Sequence, residues 1–159
     1  MGGGVLEHSP GRLALAASVD VDVHHLLEGR YQPEAQMPPR RQLCGELLPG
    51  WYDDWISLER ERFRKQRLEA LEALAARLLI EKQYGASLEI ALACIGAEPL
   101  REKPHLIVAE VHLGERNYSE AVRHLESYSR LLRREIASEP SPRIARMLRY
   151  SRIPRPLGN

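Results

Sequence analysis

Two tyrosines 34 residues apart, Tyr84 and Tyr118, set the frame of this chain. With those two aligned, Glu81 meets Glu115, Leu74 meets Val108 and Leu88 meets Val122. Each tyrosine falls in a turn between two stretches whose apolar residues recur at helical spacing. One helix–turn–helix unit cannot bury both of its apolar faces by itself. Units of this kind therefore stack, and stacking leaves a concave groove suited to extended peptides or partner helices. The first unit supplies Tyr84, Leu88, Ala91 and Pro99; the second supplies Tyr118, Ala121, Val122 and Leu125.

The individual helices follow from the same spacing. Leu71, Leu74, Ala75, Leu78 and Leu79 fall at i, i+3, i+4, i+7 and i+8, one continuous apolar face. Upstream, residues 57–69 are rich in Glu and Arg with no breaker, so one long helix is expected over 54–82. Leu88, Ala91, Leu92 and Ile95 give a second stripe, ended by Pro99. Pro104 suits the first turn of a third helix with Ile107, Val108 and Val111 inward. Ser119 is the expected N-cap of a fourth, with Val122, Leu125, Ser129 and Leu132 inward. Ser141 and Pro142 read as N-cap and first residue of a short last helix, with Ile144 and Leu148 inward. A period of this length is the tetratricopeptide pattern. Ser87 replaces its usual alanine, and Arg133 stands where Pro99 has its equivalent. The competing reading is an ordinary helical bundle with a coincidental period. The expected fold class is all-α, with tetratricopeptide-like stacked helical hairpins.

The first 50 residues are different. Gly2–Gly4 read as flexible. Val5–Leu15 read as two extended pieces around a turn at Ser9, Pro10 and Gly11, a small β-hairpin. Val19, Val21 and Val23 alternate with Asp20 and Asp22, as in a short strand. Residues 24–30 have room for about two helical turns. Pro33, Pro38, Pro39, Pro49 and Gly50 then interrupt the chain as far as Trp51.

With 159 residues and a formal net charge of +1, the chain as a whole is no strongly basic nucleic-acid binder. Its basic excess is confined to the C-terminal end: Arg143, Arg146, Arg149, Arg152 and Arg155 follow residue 136 against Glu139 alone. Such an end attracts an acidic partner or a phosphate backbone, or is simply a solvated helix face. Cys44 and Cys94 are far apart, with no Cys-x-x-Cys motif, which fits a reducing cytoplasm. Cys94 lies on an apolar stripe, as a small core residue would. No apolar run is long enough for a membrane span, and the start does not resemble a signal peptide.

Several constellations invite chemistry and fall short of it. His24 and Glu28, four apart and beside His25, lack third and fourth metal ligands at a suitable spacing. His105, His112 and His124 read as ordinary surface or interhelix histidines, a ligand or pH-sensing role being the alternative. Asp53 and Asp54 are adjacent, so on a helix they diverge by about 100° and cannot converge on one substrate. They better suit the positive end of the long helix. Trp51, Tyr52 and Trp55 read as staples of that helix to the preceding segment. No phosphate loop, nucleophile elbow or His-Glu-x-x-His motif occurs. No catalytic residue, cofactor or metal is expected. Arg60, Arg64 and Arg67, at i, i+4 and i+7, describe a cationic line. It is either a solvated face with local Glu–Arg pairs or a contact for a partner of opposite charge.

Three stretches, in order and sensibly spaced, carry a resemblance. They are LLPGWYDDWISLERERFRKQRLEALEALA (47–75), AEPLREKPHLIVAEVHLGERNYSEAVRHLESYSRLLRREI (97–136) and SEPSPRI (138–144). Together they resemble the bacterial transcriptional activator domain of the Streptomyces antibiotic regulatory protein family, over about residues 43–149. The resemblance implies a tetratricopeptide-like module that supports dimerisation and activation, preceded by a winged helix-turn-helix reader of direct-repeat DNA. The segment Ser9-Pro10-Gly11-Arg12-Leu13 is similar to the last hairpin of such a winged helix, though without the usual Gly-Tyr after the turn. Pro38 and Pro39 fall where the family often has a short helix.

The expected organisation is a winged-helix remnant over 1–23, a Pro-rich connector over 24–50, the activator domain over 51–150 and a tail over 151–159. No recognition helix precedes the hairpin, so the chain alone is expected to lack sequence-specific DNA binding. Arg12, Arg60, Arg64 and Arg67 are the expected contacts to nucleic acid or a protein partner. The expected partners are a second copy of the chain, giving a homodimer, and RNA polymerase or a winged-helix domain. DNA is expected to bind only weakly. The alternative function is a stand-alone peptide-binding adaptor unrelated to transcription.

Overall fold

The computed structural model describes the backbone of residues 6–9, 12–15 and 54–151, and the side chains of 56–149. The expectations for 16–53, including His24, His25, Glu28, Cys44, Trp51, Tyr52 and Asp53, lie outside the described residues. So do the Pro10–Gly11 turn and the tail from Arg152 onward.

Two antiparallel strands, β1 (Leu6–Ser9) and β2 (Arg12–Leu15), pair Leu6 with Leu15 and Ser9 with Arg12. This is the hairpin expected around Ser9. Five helices follow: α1 (Asp54–Ile80), α2 (Tyr84–Ala97), α3 (Glu102–Gly114), α4 (Tyr118–Ile136) and α5 (Pro142–Ser151). Apart from that hairpin the described chain is all-α. Each helix packs on the next, and α1 also touches α3.

The period in the sequence is repeated in the backbone of the turns. At the end of α1, Gln83 N–H donates to Leu78 O at 2.8 Å and Lys82 N–H to Leu79 O at 3.0 Å. At the end of α3, Asn117 N–H donates to His112 O at 2.7 Å and Arg116 N–H to Leu113 O at 3.1 Å. Lys82 and Arg116 both take the left-handed conformation, at φ 60° and 62°. These are two copies of one Schellman-type ending, in which a left-handed residue folds the chain back onto its last carbonyls. The ending halts α1 at Ile80, two residues before the expected Lys82. It also fixes where α4 begins. The helix starts at Tyr118 with Asn117 in the cap position and no side-chain cap. Ser119, the expected cap, is already inside the first turn.

The two units differ where the sequence does. Helix α2 has 14 residues and ends just before Pro99, whereas α4 has 19 and runs through Arg133. Proline has no N–H for the helix ladder, and its removal lets α4 continue.

Two buried clusters share α3. Leu68, Leu71, Leu74, Ala75 and Leu78 of α1 pack with Ile90, Ala91 and Cys94 of α2 and with Ile107, Val108 and Val111 of α3. Leu106 and Ala109 of α3 pack with Ala121, Leu125, Tyr128 and Leu132 of α4 and Ile144 of α5. A helix apolar on nearly every side must be covered on nearly every side, which is how stacked helix pairs use their central member.

The stripe read on α2 needs correction. Leu92 is 48% exposed, and the fully covered line is Ser87, Ile90, Ala91 and Cys94. Small residues on that line let α1 and α2 approach closely. Ser87, at the usual alanine position, donates its hydroxyl hydrogen to Ala75 O of α1 at 2.8 Å. Its counterpart one period later is Ala121, also buried. Cys94 is the small core residue expected of it.

Candidate interaction surfaces

The cationic line on α1 runs beside the buried stripe of that helix. Arg67 precedes Leu68 and lies one turn before Leu71, and it is only 7% exposed, with its guanidinium carbon 5.8 Å from the centre of the Phe63 ring. That distance permits a cation–π contact. Arg64 forks onto both carboxylate oxygens of Glu61 at 2.9 Å and also bonds Glu98 of the α2–α3 connection. The Glu61 and Glu98 carboxylates raise the Arg64 pKa, and Arg64 in turn lowers that of Glu61. Arg60 is half-buried. Of these arginines, Arg64 thus bonds across the helix junction and Arg67 is buried against α1. Arg12 begins β2, and its side chain lies outside the described ones.

Around the same junction lies a charge ladder. Glu72 of α1 has a side chain only 4% exposed, and it receives Arg101 at 2.7 Å and Lys103 at 3.6 Å. Arg101 also reaches Glu98 at 3.3 Å, and Glu72 is the main cause of its raised pKa. A carboxylate so deeply covered requires partners of opposite charge. The ladder Glu61–Arg64–Glu98–Arg101–Glu72–Lys103 ties α1 to the chain entering α3. The sequence held one hint of it: Glu72 interrupts an otherwise apolar arc between Leu71 and Leu74.

His105 and His124 do meet, across the α3–α4 contact. His105 Nε2 lies 2.9 Å from Pro99 O, and its Nδ1 lies 3.0 Å from His124 Nε2. A carbonyl only accepts, so His105 carries its proton on Nε2 and accepts from the His124 Nε2–H at Nδ1. Tyr128 stacks on His105 at 4.0 Å between centroids and donates its hydroxyl to Leu100 O at 3.0 Å. Burial lowers the pKa of His105. Burial, with His105 and His112 as neighbours, pushes that of His124 down to about 4. The group is an interhelix pair that also ties down the loop between α2 and α3. Among the described residues no cluster of three or more His, Cys, Asp or Glu is arranged to hold a metal ion. None of the described helices is long and apolar enough to cross a membrane.

The last helix closes the stack. Ile144 enters the second cluster, with Met147 and Leu148 partly buried against it. Helix α5 begins at Pro142, as expected. Ser141 does not cap it through its hydroxyl, which is buried without a hydrogen-bond partner among the described residues. Instead the Glu102 carboxylate of α3 accepts Ser141 N–H at 3.0 Å. The outward residues Arg143, Arg146 and Arg149 are exposed, and Arg143 pairs with Glu110 of α3.

Stacked helix pairs with charged outer faces fit the family whose model matches the chain. The bacterial transcriptional activator domain matches residues 42–150. No curated protein is similar enough to match.

Proposed function

Because the chain belongs to the bacterial transcriptional activator domain family, we propose that it is a regulatory module that acts in transcription through protein contacts. The observation that carries this reading is the family match, which covers α1 to α4 and α5 as far as residue 150. Stacked helix pairs suit the role, since an extended helical surface recognises partners without a catalytic pocket. The module is a binding unit, not an enzyme, and works in the cytoplasm within the Streptomyces antibiotic regulatory protein branch of the family. A second copy of the chain is the first partner, giving a homodimer. RNA polymerase or a winged-helix domain is the other. Sequence-specific DNA reading belongs to a winged helix of which β1 and β2 are the last hairpin.

Sedimentation across a concentration series tests the self-association, and a strict monomer at the highest concentration removes it. A mobility-shift series tests the division of labour. The chain alone is expected to give no promoter-specific shift, and a sharp, salt-resistant preference for one promoter contradicts it.

A further inference from the structure

The outer face of α5 carries positive charge only. At 3.6 residues per turn, Arg143, Arg146 and Arg149 span about 120° of the helix, opposite Ile144, Met147 and Leu148. All three are exposed, and they extend over about 9 Å of helix axis. Arg143 shares its charge with Glu110. No carboxylate pairs with Arg146 or Arg149 among the described residues. The nearest acidic contact along the chain, Glu139 at the start of the α4–α5 connection, is 3.1 Å from Arg133 of α4. A terminal helix in a stack needs a polar outer face for solubility, but mixed signs serve that need. The segment Pro142–Ser151 holds no acid at all, and the sequence beyond it adds Arg152 and Arg155.

We propose that this face of α5 docks on the phosphate backbone of nucleic acid, without reading its sequence. Two features favour phosphate over an acidic protein segment. Protein interfaces centre on a buried apolar or aromatic anchor, and among the described side chains none of the exposed large apolar residues, Leu58, Ile80, Leu92, Leu100, Tyr118 and Ile136, lies on α5. Guanidinium groups, moreover, form paired hydrogen bonds to phosphate oxygens and stay charged at any working pH. Backbone contact of this kind strengthens binding and sets orientation, while carrying no sequence information. The phosphate contact is independent of self-association, which sedimentation tests.

The test uses the full chain and a labelled mixed-sequence duplex, titrated at rising salt. A face neutralising about three phosphates loses roughly 40-fold in affinity for a fourfold rise in salt. The pair Arg146→Gln and Arg149→Gln is expected to cut that loss to about fourfold and to weaken binding at low salt. The pair Arg62→Gln and Arg123→Gln removes the same charge from exposed sites on α1 and α4, and is expected to leave the salt slope within about half a unit of the parent. Absence of duplex binding at low salt overturns the proposal. So does an equal loss in the two pairs of variants. Binding of polyglutamate in place of the duplex, abolished by the α5 pair, also overturns it and assigns the face to an acidic protein.

Discussion

Gly114 is a glycine for reasons of space, not backbone freedom. A Cβ there would lie 2.7 Å from Cε1, Cζ and Oη of Tyr84, closer than any ordinary contact. Tyr84, the residue that frames the first unit, thus rests its ring on the end of α3 in the second. Gly114→Ala is expected to cost about 1–3 kcal/mol, the usual range for overpacking. In a Tyr84→Leu background the same substitution should cost much less, because the ring is gone; chemical denaturation of the four variants measures the coupling. The tyrosines were legible as a period, but the ring's seat on Gly114 was not, since contacts across units leave no periodic trace. The histidine pair makes a second prediction. Both folded pKa values lie below the ordinary 6.5, so the unfolded chain binds more protons between about 4 and 6.5. The pair's contribution is therefore complete above about 6.5 and is lost as pH falls toward 4. His124→Gln keeps an N–H for His105 Nδ1 and cannot titrate. Melting temperature against pH should be flatter for that variant across the window, and an unchanged slope would show that other groups set it.

At the scale of helices, the strongest agreement between sequence and structure is in the turns. Lys82 and Arg116, one period apart, adopt matching left-handed conformations at φ 60° and 62°. A side chain with a Cβ is strained there by about 1–2 kcal/mol, part of which glycine gives back through its freer unfolded chain. Lys82→Gly and Arg116→Gly are each expected to stabilise the fold by about 0.5–1 kcal/mol, and by similar amounts, because the turns share one geometry. Destabilisation by either in a urea titration would mean that the lost side chain matters more than the strain. Helix existence and order were readable from apolar spacing, and the longer α4 from the replacement of proline by Arg133. The phase of α2 was not. Its true line is made of Ser87, Ala91 and Cys94 with one large residue, Ile90, while the larger and more apolar Leu92 lies exposed on another side. Hydropathy alone undervalues small residues, whose contribution is to let two helices come close. The cationic line on α1 shows the same limit. Spacing says that Arg60, Arg64 and Arg67 share a side of the helix, but not that this side also borders the core, where Glu98 and the Phe63 ring receive two of them.

At the scale of the whole molecule, the described helices are two stacked pairs followed by α5, with α3 contributing to both buried clusters. That organisation was visible in the period, and the family in the three matching stretches, because stacking imposes a repeat that survives changes in individual residues. The interaction surfaces were much less visible, because a partner imposes no period on the residues that meet it. The Glu61-to-Lys103 ladder joins residues from α1, the α2–α3 loop and the first turn of α3, and only folding brings them together. The α5 face was foreshadowed by the basic C-terminal end, but its separation from the apolar side became clear only with Ile144 placed in the core. The central claim, that this module activates transcription through protein contacts, is tested most directly by joining the full chain to an unrelated bacterial DNA-binding domain. Transcription from a reporter carrying that domain's site is then measured. The account predicts transcription several-fold above the DNA-binding domain alone; a fusion that is expressed and occupies its site but gives no increase would contradict it.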